Sequence, residues 1–333
     1  MELHEIAEHH LVSAAAAGAI GVEAASLRRL VRAGVVRRVV RGWYAVRTPG
    51  QARAPWEGED TFEEARRTHR LLTTALLKSF EGRVVASHQS ALVLHGVPVW
   101  KADLGTAHLC RTSTDHTRHR PCAVIHPPVE GGPVRTRDGF QTVPLPHAIV
   151  QVGLYPPDDP SARSPMDSVI AADFALHHEL VTEAQLESAV KAHASHPGIA
   201  AVRTLLAHAD GRHESPGETR LAHSLRLLGY RFTPQVPLPG SHGYRGDFVL
   251  DDDPVVVEFD GLAKYSLGSA TATAGTDQAV RQNLAAEKRR EEDVRLRGHH
   301  EFARFIWQEA GNLPLIRHRV DAAIARARLR RSA

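Results

Sequence analysis

The pattern of apolar and polar positions over residues 1–49 predicts two helices followed by a hairpin. The stretch HHLVSAAAA predicts a first helix, and GVEAASLRRLVRAG contains a second. The apolar runs in VVRRVVRGWYAV predict two short strands that turn near Gly42. A segment that carries Pro and Gly, RTPGQARAPWEGED, follows and predicts a linker. The first 49 residues therefore form a unit of their own.

Arginines crowd the second helix and the hairpin of this unit. Between positions 28 and 41 there is no acid, and the six arginines are Arg28, Arg29, Arg32, Arg37, Arg38 and Arg41. The order helix, helix, ribbon is that of a winged helix-turn-helix, whose recognition helix and wing carry phosphate contacts. These arginines are the predicted DNA-binding residues. A solvated basic face on a small interaction domain is the alternative.

Residues 61–211 mix helices with short strands and predict an α/β middle domain. TFEEARRTHRLLTTALLKSF predicts a helix, and VVASHQSALVLHGV predicts a strand tip followed by a helix. TAHLC and CAVIHPP predict strands. Helical stretches from AIVQVGLY to GIAAVRTLLAHAD complete the domain.

Histidines are numerous in the middle domain, so a metal site is one interpretation of them. His88 and His95 are seven residues apart, and His116 and His119 lie in a polar turn between strands. Neither set has a nearby carboxylate or a complementary pair at the spacing of a zinc site. We therefore expect these histidines to belong to the core or the surface.

The last block, residues 213–333, begins with the start of a helix. Ser215 predicts an N-cap, with Pro216 at the first helical position and Glu218 at the spacing of a capping box. The stretches that predict strands are RFTPQVPL, DFVL, VVVEFD and EFARFIW. A charged helix, QAVRQNLAAEKRREEDVRLRG, precedes the last strand, and IRHRVDAAIARARLRR predicts a basic terminal helix.

Carboxylates collect in the two apolar strands DFVL and VVVEFD, which the turn DDDP joins. Symmetric pairing about that turn places Asp247 opposite Glu258. Because side chains alternate along a strand, Asp260 shares their face. Facing carboxylates repel, and Mg²⁺ would offset the repulsion, with Lys264 just past the strand end. Such a set suits phosphodiester hydrolysis, whereas a half-exposed strand with its polar face in solvent is the alternative.

Composition sets the class of protein. The chain has 333 residues, 41 Lys and Arg against 38 Asp and Glu, and a net charge of +3, so two or three domains are expected. Two cysteines argue against a disulfide scaffold and a Cys-based zinc module. A mean hydropathy of −0.27 and the lack of an apolar run of roughly 18 residues predict a soluble, cytoplasmic protein without a membrane partner. Arginine suits bidentate phosphate contacts, so DNA is the expected partner.

The block from Glu214 onward resembles a known nuclease family. DFVL…VVVEFDG…KY, followed by EKRREEDVRLRGHHEFARFIW, is similar to the endonuclease-like domain family DUF559. That family is related to the very-short-patch repair (Vsr) endonucleases within the PD-(D/E)XK superfamily. The resemblance implies a restriction-endonuclease-like domain over residues 213–333. It also implies an endodeoxyribonuclease that uses Mg²⁺, with Mn²⁺ as a substitute. Gly246 stands where the superfamily name has Pro, a departure common among such relatives.

The resemblance also implies roles for individual residues. The catalytic set would be Asp247, Glu258, Asp260, Lys264 and Glu218. Of these, Asp247 and Glu258 would be the metal ligands, and Lys264 stands where many relatives have His. Glu287 and Lys288 lie on the charged helix that packs near such sites, and a solvated helix face is the alternative for both.

A second resemblance concerns the N-terminal residues. LRRLVRAGVVRRVVRGWYAV is similar to the winged helix of AbiEi-type antitoxins of type IV toxin–antitoxin systems, and VVASHQSALVLHGV to the start of their second domain. It implies a DNA-binding domain over residues 1–49 and an AbiEi-like α/β domain over residues 61–211. The alternative to a nuclease is then a non-catalytic DNA-binding regulator or antitoxin of a toxin–antitoxin or phage-defence system. This interpretation allows two further partners, a second copy of the chain in a homodimer and a cognate toxin.

Overall fold

The computed structural model describes residues 2–113, 117–155, 164–238, 245–261 and 300–332. The chain forms two compact units, Met1–Ala209 and Asp210–Ala333. The fold is mixed α/β, with helices and three sheets among the described residues. No helix in those ranges is both long enough and apolar enough to cross a lipid bilayer.

The first unit begins with short elements around a three-stranded antiparallel sheet. They are β1 (Leu11–Ser13), α1 (Ala14–Ala19), α2 (Ala24–Arg32), β2 (Val36–Val40) and β3 (Trp43–Val46), and the strand order is β1-β3-β2. The predicted second helix and the turn at Gly42 are confirmed, and the φ angle of Gly42 is 83°. Glycine takes this left-handed conformation without a steric cost.

The predicted first helix is wrong over its first half. Leu11–Ser13 forms a strand that pairs with β3, and the helix begins only at Ala14. The strand is favoured because Leu11 and Val12 point to opposite faces and each is buried in a different hydrophobic cluster. Ser13 ends the strand and caps the helix, since its Oγ accepts a hydrogen bond from the Ala16 N–H at 3.0 Å.

The rest of the first unit packs helices against a six-stranded sheet. The elements are α3 (Thr61–Phe80), β4 (Val84–Ala86), α4 (His88–His95), β5 (Ala107–Arg111), β6 (Arg118–Arg120), β7 (Ala123–His126), β8 (Val134–Arg135), β9 (Gln141–Thr142), α5 (Leu145–Leu154), α6 (Pro165–His177), α7 (Glu183–Ala192) and α8 (Ile199–Leu206). The sheet order is β6-β7-β5-β4-β9-β8. The predicted helix at 61–80 and the predicted strand followed by a helix at 84–97 are confirmed.

The chain from Pro165 to Ala192 forms two separate helices, α6 and α7. Glu179 adopts a left-handed φ of 54°, which ends α6. Thr182 then starts α7 with a capping box, in which Thr182 and Gln185 each accept a hydrogen bond from the other's backbone N–H.

The second unit is a four-stranded sheet with helices packed on it. Its elements are α9 (Pro216–Leu227), β10 (Phe232–Pro237), β11 (Arg245–Leu250), β12 (Val255–Asp260), β13 (Glu301–Ile306) and α10 (Leu313–Ser332). The order is β10-β11-β12-β13, with β12 and β13 parallel and the other pairs antiparallel. The predicted strands and terminal helix are confirmed. The predicted charged helix, residues 278–298, lies outside the described residues.

The two faces of this sheet differ in what covers them. Phe248, Val255 and Val257 belong to the main core with residues of α9 and α10. On the other face Val256 packs with Leu238 and Phe302 in a small cluster. The face that carries Phe248 contributes to the main core, whereas the face that carries Val256 has only a small apolar cluster.

Candidate metal-binding carboxylates

The pairing of β11 with β12 brings the predicted carboxylates together. Phe248 pairs with Val257 and Val249 with Val256, which is the predicted register. The same register continued by one residue places Asp247 opposite Glu258, on the face away from the main core. The backbone N–H of Phe259 donates to Oδ2 of Asp247 at 2.7 Å, so the carboxylate is held against the neighbouring strand.

Glu218 reaches the same region from the first turn of α9. Ser215 caps that helix, because its Oγ accepts a hydrogen bond from the Glu218 N–H at 3.2 Å. The buried Glu218 carboxylate accepts from the Glu214 N–H at 3.0 Å and from Nε2 of Gln235 at 3.0 Å. The predicted N-cap at Ser215 is confirmed. The Glu218 carboxylate, however, accepts from the backbone N–H of Glu214, whereas in a capping box it would accept from that of the cap residue.

Gln235 is a residue of this region that sequence reasoning missed. It lies in β10, where the pairs on either side of it place it across from Asp247. Its φ of 56° is in the left-handed region, which costs a non-glycine residue about 1–3 kcal/mol. A polar residue between Pro234 and Val236 was the only signal in the sequence, and the strained backbone shows only in the structure.

The local charges change the acidity of Asp247. Burial raises its pKa, and the nearby acids Glu218 and Glu214 raise it further. The Phe259 N–H and the Arg304 guanidinium act in the opposite direction, and the resulting pKa is about 7. The half-buried carboxylate therefore ionises only near neutral pH, well above the ordinary value of 3.8.

Glu258 has a cationic neighbour that the sequence did not reveal. In the parallel pair β12–β13, Glu258 lies beside Arg304, and Arg304 Nε donates to Glu258 Oε2 at 2.7 Å. The Glu258 side chain is buried and the Arg304 side chain is half-exposed. Part of the repulsion between the facing carboxylates is therefore offset by the protein itself.

The remaining predicted residues are less closely placed. Asp260 ends β12 and is exposed. Lys264, Glu287 and Lys288 lie outside the described residues. The carboxylates do not form a group of three with oxygens within 4.8 Å of one another; among the described residues the one such His, Cys, Asp or Glu group consists of histidines.

The donor set fits a Mg²⁺ ion held by two carboxylates. Mg²⁺ is a hard cation that keeps several waters and takes one or two carboxylate oxygens. Oδ2 of Asp247 accepts the Phe259 N–H, and Oε2 of Glu258 accepts from Arg304, so each carboxylate is already oriented by a neighbouring strand. A cation bound beside Asp247 would stabilise the ionised carboxylate and so lower its raised pKa.

The predicted DNA-binding arginines lie in the first unit, on α2 and the β2–β3 hairpin. Five of them are exposed: Arg28, Arg29, Arg32, Arg38 and Arg41. Arg37 differs, because it is half-buried and Nη1 lies 3.7 Å from Oε1 of Glu64 on α3. The exposed guanidiniums suit bidentate contacts to phosphate.

No protein-family model matches the chain, and a search of the curated proteins finds no significant match.

Proposed function

We propose that the protein is a Mg²⁺-dependent DNA endonuclease whose metal site is built on Asp247 and Glu258. The observation that carries the proposal is that the β11–β12 register places Asp247 across from Glu258, while burial and the acids Glu218 and Glu214 raise the pKa of Asp247 to about 7. Burying and crowding acids costs free energy, and a plain binding surface gains nothing from it. A metal ion that the chemistry needs accounts for the arrangement.

Each residue around the ion has a distinct task in this proposal. Asp247 and Glu258 would hold the ion, and the Phe259 N–H keeps the Asp247 carboxylate oriented. Glu218, fixed by Gln235 and the helix start, adds negative charge beside Asp247. When bound, Mg²⁺ would activate a water and neutralise charge that develops on the phosphate. Arg304, which donates to Glu258, keeps a guanidinium beside the ion.

The arginine face supports DNA as the substrate. Exposed arginines on one helix and the adjoining hairpin supply sequence-independent affinity through phosphate contacts. The order of elements, two short helices followed by the β2–β3 hairpin, supports a DNA-binding role for residues 1–49. Restriction-endonuclease-like character of residues 213–333 and AbiEi-like character of residues 61–211 remain part of the proposal.

The test is cleavage of supercoiled plasmid with Mg²⁺ and with Mn²⁺. Wild type is compared with Asp247→Asn and Glu258→Gln, which keep the side-chain shape and remove one charge. Asp252→Asn is the matched control, because Asp252 is an exposed acid in the turn of the same hairpin. We expect wild type and the control to cut, and each ligand variant to lose about 100-fold or more in rate. Uncut plasmid and uncut linear DNA with wild type would contradict the proposal, as would equal cutting by all four proteins.

A non-catalytic DNA-binding regulator or antitoxin is the second candidate. The Glu258–Arg304 pair favours it, because this contact stabilises Glu258 without any metal. A regulator binds a specific sequence in its own promoter region, and its DNA affinity does not depend on Asp247 or Glu258. If wild type cuts no DNA, and wild type and Asp247→Asn bind DNA with equal affinity, the regulator is favoured.

A further inference from the structure

Three histidine side chains from different elements converge in the first unit. His88 begins α4, His108 lies in β5 and His126 ends β7. One ring nitrogen from each lies within 4.8 Å of the other two, and no second His, Cys, Asp or Glu group in the described ranges meets this criterion. We call these residues the histidine triad.

The sheet topology brings the histidine triad together. In the parallel pair β5–β7, His126 lies beside Cys110, and Cys110 shares a face with His108 because residues two apart point the same way. β4 is the other neighbour of β5, and the Ser87 N–H donates to the His108 carbonyl oxygen at 3.0 Å. The chain therefore enters α4 directly beside His108.

The backbone at His88 is strained. Its φ is 48°, a left-handed value that costs a side-chain-bearing residue about 1–3 kcal/mol. Such residues concentrate at functional sites, where the surrounding structure holds them in place. Here the unusual φ occurs at the residue whose ring joins the other two histidines.

The distances suit shared coordination of one ion. Nε2 of His126 lies 3.0 Å from Nδ1 of His108, and the rings of His88 and His126 stack with centroids 4.1 Å apart. Two nitrogens bound tetrahedrally to Zn²⁺ at the usual bond length are about 3.3 Å apart. A shift of a few tenths of an ångström, with rotation of both rings so that their lone pairs point at one ion, would turn the facing nitrogens into two ligands.

The rings are oriented by neighbouring groups, as metal-binding histidines are. Ser87 Oγ lies 3.0 Å from Nδ1 of His88. The Tyr155 ring stands edge-on to the His108 ring, with centroids 4.3 Å apart.

The type of side chain in the histidine triad indicates which class of metal it would bind. Burial lowers the pKa of all three imidazoles, that of His126 to about 4. Neutral imidazoles offer their lone pairs to a metal at pH 7. A set of imidazoles without carboxylates selects a transition metal such as Zn²⁺ over Mg²⁺.

One side of the triad opens to a pocket. His88 and His126 line a cavity of about 590 Å³, together with Glu130, His147 and His193. Nδ1 of His147 is buried and lacks a hydrogen-bond partner within the described part of the chain. The pocket thus offers polar groups to a small ligand next to the triad.

We propose that His88, His108 and His126 bind one Zn²⁺ ion, and that its fourth coordination position faces the pocket and takes water or a small anion. Three imidazoles with one open position are a ligand set of catalytic zinc centres. The site lies within the first unit and does not rest on the proposed nuclease activity.

The test uses Co²⁺ as a spectroscopic substitute for Zn²⁺ in the purified full-length protein after removal of metal with EDTA. We expect one equivalent of Co²⁺ to produce the strong visible bands of a tetrahedral site, and Zn²⁺ to abolish them by displacement. His126→Gln and His108→Gln should each weaken binding by about tenfold or more. His119→Gln is the matched control, since His119 is exposed on the neighbouring strand β6, and it should bind as wild type does.

Two further measurements keep the test decisive if a variant fails to fold. X-ray absorption of the Zn²⁺-loaded wild type should show three imidazoles, whereas an oxygen-only environment would overturn the proposal. Azide should shift the Co²⁺ bands; unchanged bands would overturn the open position. Absence of visible bands in wild type with excess Co²⁺, or equal bands in folded His126→Gln, would identify the triad as a hydrogen-bonded cluster without a metal.

Discussion

Arg304 donates a hydrogen bond from Nε to Oε2 of Glu258 at 2.7 Å, and the two residues lie side by side on parallel strands. The Glu258 side chain is 10% exposed and that of Arg304 is 32% exposed. Glu258 therefore has a charged partner, while Asp247 accepts a backbone N–H and has a pKa raised to about 7. This difference between two facing carboxylates leads to separate predictions for each.

Replacing Arg304 with Met should destabilise the second unit. The change removes the Arg304 guanidinium from beside a buried carboxylate, which costs about 3–5 kcal/mol in a fully buried pair and about 1–3 kcal/mol in this partly exposed one. Urea denaturation measures the free energy of unfolding. Arg231→Met is the control, because the Arg231–Asp252 pair is 72% and 61% exposed and should contribute less than about 1 kcal/mol. If the free energy of unfolding falls equally in both variants, the Glu258–Arg304 contact contributes no more to stability than an exposed ion pair does.

Replacing Asp247 with Asn should remove a pH dependence of stability. The pKa of Asp247 in the folded protein, about 7, exceeds the ordinary value of 3.8. Between these values the folded state binds more protons than the unfolded state, so the free energy of unfolding falls as pH rises from about 4 to about 7. Asn does not ionise and still accepts the Phe259 N–H, so the variant should be more stable than wild type at pH 8.

The expected gain at pH 8 is about 1–3 kcal/mol, discounted for solvent screening from roughly 1.4 kcal/mol per pKa unit. At pH 4 the two proteins should have nearly equal stability. Urea denaturation in EDTA, at pH 4 and pH 8, measures the difference. Asp252→Asn, at an exposed position, is the control. A gain of the same size at both pH values would contradict the role of Asp247 ionisation.

Replacing Gly217 with Ala should destabilise the packing of α9 on β12. A Cβ atom at Gly217 would lie 2.0 Å from Cζ of Phe259, so the ring or the helix would have to move. Overpacking of this kind costs about 1–3 kcal/mol or more. Gly261→Ala is a close control, because its Cβ would lie 3.8 Å from Cε1 of the same ring. Thermal denaturation of both variants measures the effect, and a similar melting temperature for the two would refute it.

Replacing Arg28, Arg29 or Arg32 with Ala should weaken DNA binding. Each exposed guanidinium that contacts a phosphate contributes to affinity and to its salt dependence, so each loss should reduce the slope of log K against log salt by about 1. Arg37→Ala should have a smaller effect, because Glu64 already lies close to that side chain. Fluorescence anisotropy with labelled duplex DNA at several salt concentrations measures the slopes. Unchanged slopes in all of the exposed-site variants would place the DNA contacts elsewhere.

Local sequence patterns were sufficient to predict several structural features of this protein. The register of the β11–β12 hairpin followed from a short turn between two apolar strands, because a shift by one residue would move every side chain to the wrong face. The cap at Ser215 and the helix at 61–80 likewise depend on residues close in the sequence. In each case the determining interaction lies within a few residues of the element itself.

Other features required the tertiary structure. Leu11–Ser13 became a strand through pairing with β3, about 30 residues away in the chain, and Arg304 joined Glu258 through a parallel pairing across 46 positions. His108 and His126 lie close together because β5 pairs with β7, and His88 joins them because β4, which precedes it, is the other neighbour of β5. The spacing argument compared only histidines close in the sequence, so it did not bring His88, His108 and His126 together. Periodicity determines which face a residue occupies, but the packing of the whole core decides which strands lie side by side, and therefore which distant side chains meet.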